Sequence, residues 1–121
     1  MKSTLIITEK GDKTYQSIHG FHRTDGPAIE SADGSKSWYL NGQLHRTDGP
    51  AIEYADGSKE WWLNGEYHRV DGPAVERADG SKAWCLNGKE LNLEKAVKDI
   101  ELQAKYPKLI ESMVIYLVHN S

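Results

Sequence analysis

The sequence predicts a mainly β protein with C-terminal α structure, in which stacked β-hairpin (meander) repeats form an elongated sheet or solenoid capped by one or two helices. Three observations predict this fold class. A 23-residue motif occurs three times in succession, and each copy carries the turn dipeptides Asp-Gly and Asn-Gly. Apolar residues adopt helical spacing only after the third copy. The chain has 121 residues, a length that suits one domain.

This domain is expected to have three parts. Residues 22–90 hold three copies of the motif His-Arg-x-Asp-Gly-Pro-Ala, followed by Ala-Asp-Gly-Ser-Lys-x-Trp-x-Leu-Asn-Gly. Residues 1–21 align with it at the same offset, with Tyr15 at the position of Trp38, so we predict a degenerate N-terminal capping repeat. The pattern stops at residue 91, and residues 91–121 are predicted to be a helical C-terminal cap.

Composition excludes several classes of function. The 18 acidic residues outnumber the 15 basic ones, which argues against a general electrostatic grip on nucleic acid or on an anionic membrane. The single cysteine, Cys85, excludes an internal disulfide and a cysteine-rich zinc site. The longest apolar run, residues 113–118, is too short to span a bilayer. We therefore expect a cytoplasmic protein with no membrane or nucleic-acid partner.

Each repeat is predicted to be a three-stranded meander. In the middle copy, strands are expected at residues 50–55, at residues 58–63 and in a shorter segment ending near His68. The reversals fall at Asp-Gly and Asn-Gly, which both accept the positive φ angles of a type I′ turn. One hairpin cannot bury a Trp and a Leu by itself, so neighbouring repeats are expected to stack.

Two strand registers compete within the first hairpin of each repeat. A two-residue Asp-Gly loop pairs Ile29 with Trp38, Ile52 with Trp61 and Val75 with Trp84. A three-residue loop with a bulge instead pairs Glu30, Glu53 and Glu76 with Lys36, Lys59 and Lys82. The first register is favoured, because burying an aromatic ring beside a branched aliphatic side chain outweighs an exposed ion pair worth less than about 1 kcal/mol.

The C-terminal segment is predicted to form two helices. Asn92 caps a helix from Leu93 to about residue 105, and Pro107 begins a second helix with a wide apolar stripe. A final strand over residues 114–118 is the alternative, because the β-branched pair Val114-Ile115 favours β structure. These helices either cover the last repeat or form a homodimer or partner contact.

The residues that recur in every repeat are assigned a structural role. Copies of one position lie at least one strand spacing apart, about 5 Å, so three imidazoles cannot share a zinc ion whose ligands lie about 2 Å away. Each Asp is expected to close a turn and pair with Arg, while the His packs on a neighbouring Trp. These residues are His22, His45, His68, Asp25, Asp48, Asp71, Trp38, Trp61 and Trp84. A ligand-contacting ladder and a metal or catalytic site are the alternatives.

Binding selectivity is expected at positions where the copies differ. The middle repeat adds aromatic residues beyond the shared motif, and aromatic side chains dominate protein–protein contacts. The predicted partner-binding patch is Tyr39, Tyr54, Trp62 and Tyr67. The alternative is that the C-terminal helices cover this patch.

The repeat resembles the MORN family, and most closely the MORN-like variant repeats of tailed bacteriophages. The string His-Arg-x-Asp-Gly-Pro-Ala…Asp-Gly-x-Lys-x-Trp-x-Leu-Asn-Gly carries the resemblance over residues 22–90, although the Tyr-x-Gly opening of MORN repeats is absent. The resemblance implies a binding or scaffolding surface without shared catalytic residues. A phage origin implies a bacterial host protein as partner, for example one of a defence system.

These observations favour a non-enzymatic protein-binding module that inhibits or redirects a host protein. No catalytic elbow, phosphate-binding Gly loop or paired carboxylates can be assigned, and no cofactor or metal is expected. The alternative function is binding or sequestering a small molecule or nucleotide through the Trp and Arg residues of the repeats. An enzyme that uses one His-Arg-Asp set is less favoured, because an active site needs its residues only once.

Overall fold

The computed structural model describes residues 2–120 and confirms the mainly β class with C-terminal helices. Met1 and Ser121, the outermost residues of the predicted terminal units, lie outside the described residues. The strands are β1 Thr4–Ile7, β2 Lys13–Ser17, β3 Gly20–Phe21, β4 Ile29–Glu30, β5 Lys36–Ser37, β6 Tyr39–Leu40, β7 Gln43–Leu44, β8 Ile52–Glu53, β9 Lys59–Glu60, β10 Trp62–Leu63, β11 Glu66–Tyr67, β12 Val75–Glu76, β13 Lys82–Ala83, β14 Cys85–Leu86 and β15 Lys89–Glu90. The helices are α1 Leu93–Ala96, α2 Ile100–Lys105 and α3 Pro107–His119.

Each repeat forms two hairpins rather than one three-stranded meander. The first hairpins join β1 and β2 in one nine-stranded antiparallel sheet of order β1-β2-β4-β5-β8-β9-β12-β13, with β3 paired to β2. The second hairpins, β6-β7, β10-β11 and β14-β15, are separate pairs. The predicted middle strand changes its partner at Trp38: the Trp38 N–H donates to Ala51 O of the next repeat at 2.7 Å, while Trp38 O accepts from His45 N at 3.0 Å. Trp61 and Ala74 repeat the first of these bonds at 2.7 Å.

The favoured register is wrong, and the alternative with Glu–Lys pairs is the one observed. Glu30 pairs with Lys36, Glu53 with Lys59 and Glu76 with Lys82. The reason is the Asp-Gly turn, which closes a three-residue loop: Gly34 N donates to Ser31 O at 2.9 Å, and Ser31 N donates to Ser35 O at 2.8 Å. The Asp33 carboxylate accepts from Ser35 N at 2.8 Å and fixes this loop.

The Asn-Gly turns, in contrast, have the predicted type I′ form. Asn41 has a φ of 51° and Gly42 a φ of 79°, so both central residues are left-handed. Leu40 pairs with Gln43 across this two-residue loop. The two dipeptides therefore make different turns: only Asn-Gly has positive φ at both positions.

The observed register separates the sheet into two faces. Successive side chains point to opposite faces, so Lys36, Trp38 and Glu53 share one face while Ile52 and Glu60 share the other. We call the first the repeat face; it carries Glu30, Lys36, Trp38, Glu53, Lys59, Trp61, Glu76 and Lys82. We call the second the variable face; it carries Ile29, Ser37, Ile52, Tyr54, Glu60, Trp62, Tyr67 and Val75. The predicted Ile–Trp face does not form, because these residues lie on opposite sides.

The apolar core lies at the C-terminal end. Its buried side chains come from the third repeat and the helices: Trp84, Ala96, Leu109, Ile110 and Met113. The prediction of one or two helices is wrong, since residues 2–120 contain three. Asp99 caps α2 by accepting from Leu102 N at 3.1 Å and so interrupts the predicted first helix. The alternative of a final strand is also wrong, because residues 114–118 lie in α3.

The Asn-Gly turn of the first repeat packs closely against the N-terminal repeat, which leads to a stability prediction. Gly42 has a positive φ, and an added Cβ would collide with the carbonyl oxygen of His19. Gly34 also has a positive φ, of 96°, but a Cβ there would meet open space. We expect Gly42→Ala to reduce the free energy of unfolding by about 2–3 kcal/mol, and Gly34→Ala by about 1 kcal/mol. Urea unfolding measures both, and equal losses would contradict the close contact.

Candidate functional site

The repeat face is held together by a series of arginines, which we call the arginine ladder: Arg23, Arg46 and Arg69. Arg46 Nε donates to Asp48 Oδ1 at 2.8 Å, and its Nη1 donates to Pro50 O at 3.0 Å and to Glu53 Oε2 at 2.9 Å. Its Cζ lies 3.8 Å from the centroid of the Trp38 ring in the preceding repeat. The other two arginines make the same set of contacts, with Tyr15 and Trp61 as the rings.

The group that packs on each ring is therefore the arginine guanidinium, whereas the sequence predicted that the histidine would pack there. His22 is buried, and its Nδ1 accepts from Asn41 N at 2.9 Å; His45 and His68 accept in the same way from Asn64 N at 3.0 Å and Asn87 N at 2.9 Å. Each histidine therefore holds the Asn-Gly turn of its own repeat, and its Nδ1 carries no proton in this bond.

Two arginines of the ladder lower the pKa values of the aspartates that they contact. The hydrogen bond from Arg46, followed by its charge, lowers the pKa of Asp48, and Arg23 lowers the pKa of Asp25 in the same way. Every repeat makes these contacts, so no single His-Arg-Asp set stands apart. In residues 2–120, no group of three or more His, Cys, Asp or Glu side chains is placed to hold a metal ion.

The variable face carries a cluster that only the middle repeat contains. Glu60 accepts three hydrogen bonds: from Trp62 Nε1 at 2.9 Å, from Tyr54 Oη at 3.1 Å and from Tyr67 Oη at 3.3 Å. The Trp62 and Tyr67 rings stack, with centroids 4.0 Å apart and planes at 34°. We call Tyr54, Glu60, Trp62 and Tyr67 the aromatic–acid cluster.

All four positions of the aromatic–acid cluster differ between repeats. Ser31, Ser37, Tyr39 and Leu44 occupy them in the first repeat, and Arg77, Ala83, Cys85 and Glu90 in the third. Neither neighbouring set has an acidic residue at the position of Glu60. In the third repeat, burial, followed by the charge of Glu90, raises the pKa of the Cys85 thiol.

The tyrosines of the cluster are hydrogen-bond donors throughout the ordinary pH range. Burial, reinforced by the adjacent Glu60 carboxylate, raises the pKa of Tyr54 to about 12 and also raises that of Tyr67. A phenolate beside a carboxylate is disfavoured by charge repulsion. Both hydroxyls therefore keep their protons and continue to donate to Glu60.

The structure brings together three of the four predicted patch residues. Tyr54, Trp62 and Tyr67 meet around Glu60, whereas Tyr39 contacts Phe21 of the N-terminal repeat, with ring centroids 5.3 Å apart. Within residues 2–120, the apolar core that includes the helices runs from Trp84 to Tyr116 and contains none of the four.

Sequence reasoning missed Glu60, the residue on which the cluster depends. Its signal was available: the equivalent positions hold Ser37 and Ala83, so the middle repeat alone has a charge there. Alternation along the strand already places Glu60 on the face of Trp62, but only the correct register shows that Tyr54 lies on that face too.

Comparisons with known proteins return no relative. The sequence matches no protein-family model, and neither a curated protein nor a solved structure is significantly similar to it. Among the described residues, no helix combines the length and apolar character needed to cross a bilayer.

Proposed function

We propose that this chain is a non-enzymatic protein-binding module whose contact surface is the variable face of the middle repeat. The observation that carries the proposal is the aromatic–acid cluster, in which four residues unique to one repeat converge on one another. Repeated contacts build the scaffold, so selectivity belongs to positions where the repeats differ. Stacked Trp and Tyr side chains are the residues that most often dominate binding energy at protein interfaces.

The arginine ladder supports a scaffold role more than a nucleotide or small-molecule site. Each guanidinium already donates to two carboxylates and a backbone carbonyl, and one side of it lies against an aromatic ring. These bonds use three of the five N–H donors of each guanidinium. A phosphate approaching the other two would meet both carboxylates at a side chain that is only 21–22% exposed. Protein binding through the variable face meets no such repulsion.

The same proposal includes the kind of partner that the chain binds. On the resemblance to MORN-like repeats of tailed bacteriophages, we assign the chain to a phage and its partner to the bacterial host cytoplasm, where binding inhibits or redirects a host protein. The Tyr39–Phe21 pair extends the proposed contact surface toward the N-terminal repeat. The C-terminal helices have their own apolar core, and a homodimer through them is not needed for this function.

Affinity capture from a bacterial lysate tests the proposal. We expect the unaltered protein to retain a specific host protein that the double variant Trp62→Ala/Tyr67→Ala loses, because truncating two stacked anchors removes about 2 kcal/mol or more, or at least about 30-fold in affinity. The matched control is Ile18→Ala/Ile100→Ala, which removes exposed apolar side chains elsewhere.

The control variant should retain the captured protein, and both variants should keep the circular dichroism of the unaltered chain. The proposal is contradicted when the Trp62/Tyr67 variant is folded and still captures the same protein with unchanged affinity.

A further inference from the structure

Glu60 is a carboxylate held by neutral donors alone. Trp62 and Tyr67 donate to Oε1, and Tyr54 donates to Oε2. A carboxylate offers about four acceptor positions, so one remains on Oε2. Glu30, Glu53 and Glu76 each have an arginine partner, but no ion pair within residues 2–120 includes Glu60.

The charges around Glu60 do not neutralise it. A shallow depression of about 210 Å³ beside Tyr54 and Glu60 is also lined by Asp56, Lys59 and Arg77. Arg77 Nη1 donates to Ser81 Oγ at 3.4 Å, in its own hairpin. Lys59 lies opposite Glu53 and Glu76 in the strand register, on the repeat face. Within residues 2–120, neither Lys59 nor Arg77 forms an ion pair with Glu60. The negative charge of Glu60 is therefore available at the variable face.

The cluster also favours a ligand of positive rather than negative charge. Its three polar hydrogens, which would otherwise bind an anion, all point to the Glu60 carboxylate. An anion at the cluster would meet a like charge and would find every donor of the cluster already used. A cation instead meets a carboxylate oxygen and the electron-rich ring of Tyr54, an arrangement that attracts ammonium groups.

Resting on the protein-binding function proposed above, we infer that the aromatic–acid cluster binds a lysine side chain of the partner protein. An arginine fork pairs best with both oxygens of a carboxylate, and here Oε1 already accepts two bonds. The ammonium of lysine is a compact point charge that needs one oxygen only. The lysine ammonium contacts Glu60 Oε2 in the depression, and its methylenes lie against the Tyr54 ring that lines it. Trp62 reports the binding because its Nε1 donates to the same carboxylate.

A nuclear magnetic resonance titration tests this inference with a defined probe. Nα-acetyl-L-lysine N-methylamide is added to ¹⁵N-labelled protein, and the indole N–H signals of the four tryptophans are followed. Trp62→Phe assigns the Trp62 signal. We expect a saturable shift of Trp62 and none of Trp38, Trp61 or Trp84. The uncharged analogue Nα-acetyl-L-norleucine N-methylamide should bind at least about fivefold more weakly.

Two variants test whether the charge of Glu60, rather than the shape of its side chain, binds the probe. Glu60→Gln keeps the length of the side chain but removes its charge, and should weaken the lysine probe at least about fivefold. Glu66→Gln removes an equal charge from β11 of the same repeat and should leave the affinity for the probe within about 1.5-fold of that of the unaltered protein. The Trp38, Trp61 and Trp84 signals report whether each variant is folded.

Two results would overturn the inference: equal responses to the lysine and norleucine probes, or no Trp62 shift at millimolar lysine probe. A loss of probe binding in Glu66→Gln as large as that in Glu60→Gln would also overturn it, since the Glu60 carboxylate is intact there. If the lysine probe fails while lysate capture still depends on Trp62 and Tyr67, cation recognition is wrong and the protein-binding function stands. If capture does not depend on them, the proposed function itself is wrong.

Discussion

Replacing Trp84 with alanine should produce the largest loss of stability in the chain, about 3–5 kcal/mol of unfolding free energy. Trp84 is 1% exposed and is the largest side chain of the apolar core. Its Nε1 donates to Ser112 Oγ at 2.9 Å, and its ring packs edge-on against Tyr116 with centroids 5.1 Å apart. The variant leaves a cavity under α3 and removes the bond that the Ser112 hydroxyl accepts, although this hydroxyl still donates to Leu109 O at 2.6 Å.

The loss of stability in Trp84→Ala should be greatest in the helices. A 13-residue helix such as α3 is marginal by itself in water, so it depends on the core it covers. We expect α-helical circular dichroism at 222 nm to disappear at a lower urea concentration than in the unaltered protein. Val114→Ala, on an exposed position of α3, is the matched control and should change stability by less than about 1 kcal/mol. Equal effects of the two substitutions would contradict this account of the core.

The surroundings of Trp84 also explain why the array of repeats ends after the third copy. Trp38 and Trp61 are covered by the arginine of the next repeat, but the position of that arginine after the third repeat is Asn92. Asn92 accepts from Lys95 N at 3.0 Å and begins α1 instead. The helices therefore replace a fourth repeat, and the exposed edge of the repeat array becomes a core.

The sequence was sufficient for the repeat, the class of fold and the Asn-Gly turns, because these depend on local chemistry. The Asp-Gly turns were mispredicted because the dipeptide alone does not distinguish a type I′ turn from a type I turn followed by a left-handed glycine. The Asp33 carboxylate bonds to Ser35 N and selects the second form. An error of one residue in register moves every side chain of a strand to the other face.

That error also limited what could be predicted about the candidate site. The preference for Ile–Trp pairing assumed that the Trp ring needs an aliphatic neighbour, whereas Arg46 covers Trp38 from the next repeat. The pattern of residues within one repeat does not show which residues of the next repeat contact it. The aromatic residues could be found by comparing the copies, but placing Glu60 on the same face as Tyr54 required the correct register.

Replacing Arg46 with alanine should reduce the unfolding free energy by about 2–4 kcal/mol, the second-largest effect expected. The substitution leaves Glu53 and the Pro50 carbonyl without their donor and uncovers the Trp38 ring of the preceding repeat. Arg46→Lys keeps the charge but not the planar fork or the stacked contact, so it should recover less than half of the loss. Arg77→Ala, an exposed arginine on the variable face, is the control and should be nearly neutral.

The same substitution should change how stability depends on pH. Because Arg46 lowers the pKa of Asp48 in the folded state, this carboxylate stabilises the protein above its unfolded pKa of about 4, and the contribution is lost as the pH falls through the lower folded value. Urea unfolding between pH 7 and pH 2.5 should therefore show a smaller loss for Arg46→Ala than for Arg77→Ala. Parallel pH profiles of the two variants, or Arg46→Lys as stable as the unaltered chain, would show that the arginine ladder does not hold neighbouring repeats together.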